Sequence, residues 1–120
     1  MLKERYRGRE IVLESTEIGD DLLIWLYGGE KGHIGSCILS IPRQSLDKKD
    51  EISCTSSVLN VVGHKDEEVG REAAEAITKK TGKRVMLACG IHYDDATESD
   101  IKEIRDICRR LVKRYLEKRR

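Results

Sequence analysis

Near Gly63 the apolar residues of this 120-residue chain change their spacing, and that change decides the fold class. Ahead of it, they come in short alternating or continuous runs separated by turn residues, which is how strands read. Residues 9–16 are β-rich, and Ile18-Gly19-Asp20-Asp21 supplies turn chemistry. Residues 22–27 form an unbroken apolar run closed by Gly28-Gly29, as expected of a central strand covered on both faces. A third strand is expected from His33 or Ile34 to Ile41, with Cys37, Leu39 and Ile41 on one face and Ser36 and Ser40 on the other. The sole proline, Pro42, should stop it. A fourth spans 51–62, and the short connections predict an antiparallel meander.

Beyond Gly63, Val69, Ala73, Ala76 and Ile77 fall at helical spacing over residues 66–80. Asp66, Glu67 and Glu68 suit a first turn, Lys79 and Lys80 a last turn, and Gly82 a stop. Residues 84–91 read as another buried strand. Thr97-Glu98-Ser99-Asp100 resembles a helix cap with Asp in place of the usual Glu. Ile101, Ile104, Cys108, Leu111 and Tyr115 then continue as an apolar stripe. The order is ββββαβα, an α+β class: one mostly antiparallel sheet with two helices on one face, in a single domain over residues 1–120.

Composition removes several function classes. Charged residues make up 38% yet cancel to +1, so the chain is not a globally basic nucleic-acid binder. With one Trp, four Tyr and no Phe it has few rings on which to stack bases. Residues 1–5 lack the apolar core of a signal peptide, and no apolar run nears the roughly 20 residues that cross a bilayer. Cys37, Cys54, Cys89 and Cys108 show no C-x-x-C spacing and sit in apolar or small-residue segments. They read as small buried thiols of a reducing, cytoplasmic compartment.

Chemistry concentrates in three loops at strand ends, each pairing a histidine with glycine: Gly32-His33-Ile34-Gly35, Gly63-His64-Lys65-Asp66 and Gly90-Ile91-His92-Tyr93-Asp94-Asp95. If the topology gathers them, imidazoles, Lys65 and carboxylates share one rim. Three imidazoles can hold zinc, but none of these lies in a close H-x-x-x-H pair. The start of the first helix offers amides and Lys65 to an anion, opposed by Asp66, Glu67 and Glu68. No G-x-S-x-G elbow is present, and the thiols lack a local sign of activation. The last helix has a basic face, including Arg105, Arg109, Arg110, Lys113 and Arg114. A solvated face is the plain reading, a patch for an acidic partner the sharper one.

The loops carry a resemblance. Gly28-Gly29 with His33-Ile34-Gly35, Ser56-Ser57-Val58 leading into Gly63-His64-Lys65-Asp66, and Gly90-Ile91-His92-Tyr93-Asp94 with Ala96-Thr97 resemble the LpdD-like family of prenylated-flavin chaperones, associated with gallate decarboxylase. The resemblance implies a fold like the proteasome assembly chaperones, often paired as dimers. It also implies a chaperone that matures UbiD-type decarboxylases by binding or delivering prenylated FMN. The ligand-contacting positions it implies are Gly29, His33, Gly35, Gly63, His64, Lys65, Gly90, His92 and Asp94. The residues themselves leave two rivals open: a metal-dependent or acid–base enzyme using the histidine loops, and a protein-only assembly chaperone. The two buried-type strands suggest more apolar surface than two helices cover, which favours a homodimer.

Overall fold

Six strands hydrogen-bond into one sheet, one more than the apolar pattern predicts. The computed structural model describes residues 1–61 and 64–119, and the side chains of all of these except His64 and Lys65. In chain order the elements are β1 Leu2–Tyr6, β2 Arg9–Ile18, β3 Asp21–Gly29, β4 Ser36–Gln44, β5 Ile52–Asn60, α1 His64–Thr81, β6 Val85–His92 and α2 Glu98–Lys118. The additional strand is β1, which folds back on β2 through a turn at Arg7-Gly8 and pairs Leu2 with Leu13. Behind it the expected order ββββαβα follows unchanged.

The strands lie in the order β1-β2-β3-β6-β4-β5. The expected meander is therefore interrupted: β6 inserts between β3 and β4, parallel to the first and antiparallel to the second. The other ladders are antiparallel, so the sheet is mixed but mostly antiparallel. Pro42 does not stop β4, which runs two residues further. Pairing of β4 with β6 ends at Ser40↔Val85, so at Pro42 only β5 is a neighbour. A missing N–H is tolerated where one side of the strand has no partner.

Both helices cover the same face. α1 packs on β4, β5 and β6, and α2 on β1 and β2. Beneath them lie Ile11, Leu13, Leu22, Ile24, Leu26, Ile38, Val85 and Leu87, all 2% exposed or less. Each such side chain contributes about 1.5–3 kcal/mol by leaving water. Gly70 brings α1 close to the sheet, since a Cβ there would lie 2.7 Å from Ile38 Cδ1. The small Ser36 and Ser40 fit under the helix, fully buried, with their hydroxyls bonded to Asn60 and Ser56.

The expectation that residues 22–27 are covered on both faces is corrected by this arrangement. Leu22, Ile24 and Leu26 are buried under the helices, whereas Leu23, Trp25 and Tyr27 point to the open face and are only half-buried. Across the register that face continues through Leu23, Met86 and Leu39, then Trp25, Ala88 and Cys37. The run is unbroken because the uncovered face is itself apolar. β6 is likewise buried on one face, with Met86 40% exposed.

Candidate functional site

The parallel pair β3 and β6 ends in glycine-rich backbone at one end of the sheet, and the parts expected to carry chemistry meet there. Gly29 stands opposite His92 in the register. Its φ is +82°, and a Cβ would fall 2.2 Å from the His92 carbonyl oxygen, so only glycine lets the strands stay this close. Beyond it the Glu30 N–H donates to that same carbonyl, and the Gly35 N–H donates to the Cys89 carbonyl. The His33 loop is thereby folded over the end of β6. α1 begins at His64, two residues before Asp66, so all three histidine positions come to one end of the sheet. Gly63 lies outside the described residues.

Asp66 joins the loops. Its Oδ1 accepts from the Ile91 backbone N–H at 3.2 Å, and its Oδ2 lies 3.1 Å from His33 Nε2. The other ring nitrogen of His33 faces the Lys31 carbonyl. Asp66 thus ties the first turn of α1 to the end of β6 and to the loop before β4.

A second cluster forms around His92. Its Nε2 lies 2.8 Å from Asp94 Oδ1, and the Asp94 N–H donates to Glu30. Arg7, from the turn after β1, donates to the Asp94 carbonyl and reaches the Glu30 and Asp100 carboxylates. Its guanidinium sits 5.4 Å from the centre of the Tyr93 ring. The Tyr93 hydroxyl donates to the Tyr6 carbonyl, and the Tyr6 hydroxyl to Asp100. Asp100 also completes the predicted capping box with Thr97. The Thr97 backbone N–H, then the Tyr6 hydroxyl, holds the Asp100 carboxyl below its usual range.

Between these clusters opens a cavity of about 310 Å³, bounded by the start of α1, the end of β6, the loop after it and the first half of α2. Asp66, Glu68, His92, Tyr93, Asp95 and Arg105 contribute its polar wall. Arg105 is paired with Glu68 at 2.9 Å, so the balance of charge in the wall is acidic. His33 stands outside this wall, on the far side of its contact with Asp66. Gly29, Gly35 and Gly90 shape the backbone around it: at Gly35 a Cβ would collide with Asp66 Oδ2. Asp94 flanks it, largely exposed.

Arg7 and Glu30 were not among the expected positions. Arg7 sits in the turn of a strand too short and charged to announce itself, and nothing local pairs it with a loop 87 residues on. No group of three His, Cys, Asp or Glu side chains gathers at metal-binding spacing among the described residues. The cysteines are free. Burial pushes the Cys89 thiol well up and the Cys108 thiol up to about 12, so neither provides a thiolate near neutral pH.

The fold, one mixed sheet with two helices on one face, is shared with a solved structure. A chain in the crystal structure of a chaperone complex for yeast 20S proteasome assembly shares the fold, with a TM-score of 0.50 at 10% identity, over 92% of this chain and 95% of that one. Residues 5–120 match the prenylated flavin chaperone LpdD-like domain, and the chain belongs to that family. None of the curated proteins compared matches it. Among the described residues no helix is long and apolar enough to cross a membrane.

Proposed function

We propose that this protein is a non-catalytic maturation factor of the cytoplasm that binds prenylated FMN, or delivers it, for a UbiD-type decarboxylase. The observation that carries the reading is the cavity between Asp66 and His92, in a chain of a prenylated-flavin chaperone family. Its lining suits the polar edge of a ring better than a phosphate. A flavin's pyrimidine edge presents an N–H between two carbonyls; Asp66 has lone pairs to accept the former, and His92 in its imidazolium form can donate to the latter while keeping Asp94. The carboxylates of Asp66, Glu68 and Asp95 oppose a buried phosphate, which this reading leaves at the mouth of the cavity. His92 and Asp94, with His64 and Lys65 at the head of α1, are the proposed contacts; His33 acts through Asp66. An anaerobic titration with reduced prenylated FMN, with FMN as control, tests this. Saturable binding that prefers the prenylated form is expected, weakened about tenfold in His64→Ala and His92→Ala by loss of a polar contact. Absence of binding to either flavin overturns cofactor carriage and leaves a protein-only chaperone.

The same reading includes a homodimer formed through the open sheet face. Leu23, Trp25, Leu39 and Met86 make a contiguous apolar surface there that no element among the described residues covers. Trp25→Glu is expected to convert a wild-type dimer to monomer in sedimentation velocity. A wild-type protein that sediments as a monomer overturns this part alone.

A further inference from the structure

The two helices run parallel, and their contact repeats with a fixed offset. Glu68 pairs with Arg105 and Glu72 with Arg109, one helical turn further along both helices. The next rung of this ladder puts Ala76 opposite Lys113, where the acid is missing. Lys113 makes no ion pair among the described residues. Along this seam runs a groove of about 260 Å³, floored by Val69, Ala73, Cys108 and Val112, with Glu72, Arg105 and Arg109 of the rungs and Lys113 in its wall. An apolar floor is thus edged by three cations, Arg105, Arg109 and Lys113, and one carboxylate, Glu72.

We propose that the groove between α1 and α2 is a docking site for an amphipathic helix of a partner protein, one whose apolar stripe is flanked by Asp or Glu. The charge decides the partner's chemistry. Basic side chains already meet carboxylates along the first two rungs, and the third sets Lys113 opposite Ala76, so that Arg105, Arg109 and Lys113 line the groove against the one carboxylate of Glu72. An incoming acid there supplies what Ala76 lacks. The shape decides the partner's form, because the ridge of a third helix packs naturally into the seam between two parallel ones. The groove adjoins the cavity at Val69 and Arg105 and extends from there along the seam to Lys113 and Leu116, so it gives the chaperone reading a place for a protein client next to its cargo.

The test uses a synthetic amphipathic helix of about 14 residues, four turns long, with leucines along one stripe and glutamates on its flanks. Binding to the full chain is followed by backbone amide shifts in NMR. Saturable, salt-sensitive binding is expected, with shifts confined to residues 69–80 and 105–116. Ala76→Glu completes the third rung from within, so it should leave folding and flavin titration unchanged while weakening the peptide at least about tenfold through like-charge repulsion. Lys113→Glu should do the same and accept a peptide with lysine flanks instead. Absence of saturation, equal binding to Ala76→Glu, or shifts centred on the open sheet face overturns the proposal. So does a change of oligomeric state in Ala76→Glu, which assigns the groove to a second copy of this chain. None of these outcomes bears on flavin binding, which is read separately.

Discussion

Gly90→Ala is expected to be the most damaging single methyl that can be added to this chain. A Cβ at Gly90 would lie 1.8 Å from the His33 carbonyl oxygen and 2.4 Å from its carbonyl carbon. Both are backbone atoms, so no rotamer change relieves the overlap. Relief requires the loop that carries His33 to lift off β6, taking with it the Gly35 N–H bond to the Cys89 carbonyl. Overpacking of this kind costs about 3 kcal/mol or more, or roughly 10 °C in Tm for a domain of this size. Gly35→Ala makes the useful contrast. Its Cβ meets Asp66 Oδ2, the end of a side chain that can swing aside. Thermal unfolding should therefore place Gly90→Ala the lower of the two, while both weaken flavin binding. If Gly90→Ala melts with the wild type, the loop is not held as described and the geometry of the rim needs revision.

The local signals in the sequence are those that a few neighbouring residues decide. The capping box at Thr97 was legible, Asp100 included, because both partners lie within one turn. The three glycine–histidine segments are legible as strand ends, and the topology brings His33, the start of α1 and His92 to one end of the sheet. What escaped depends on distant pairing. The insertion of β6 between β3 and β4 cannot be read from either strand's own pattern, since each is apolar enough to be central. β1 was missed because only Leu2 of its five residues is buried, and its charged residues disguise the alternation. Residues 22–27 looked buried on both sides because the open face of the sheet is apolar as well. Ser36 and Ser40 are under α1 because Gly70 draws the helix close, a fact recorded some thirty residues away. In the sequence Asp66 is one of three acids at a helix start; that it accepts from the Ile91 N–H follows from where β6 ends.

Asp66→Ala is expected to cost about 2–3 kcal/mol and to abolish the site together with part of the fold's stability. The estimate adds an orphaned, part-buried backbone donor at Ile91, about 1–3 kcal/mol, to the loss of an anion in the first turn of α1, about 0.3–1 kcal/mol. The Asp66 side chain is only 13% exposed, so water replaces these contacts poorly. His33→Ala should cost less, because it leaves Asp66 bonded to Ile91 and removes a ring that is 33% exposed. Chemical denaturation of both variants and of the double variant closes a thermodynamic cycle, and coupling above about 0.5 kcal/mol identifies the pair as a working contact. Asp66→Asn refines the result. Its amide oxygen can still accept from Ile91, so stability should recover in part, while a flavin N–H loses the anionic acceptor proposed for it. Stability restored without flavin affinity would assign Asp66 both roles. Flavin affinity unchanged in Asp66→Asn and in Asp66→Ala would remove the cavity from the cargo's path, and would leave Asp66 as the joint between α1, β6 and the His33 loop.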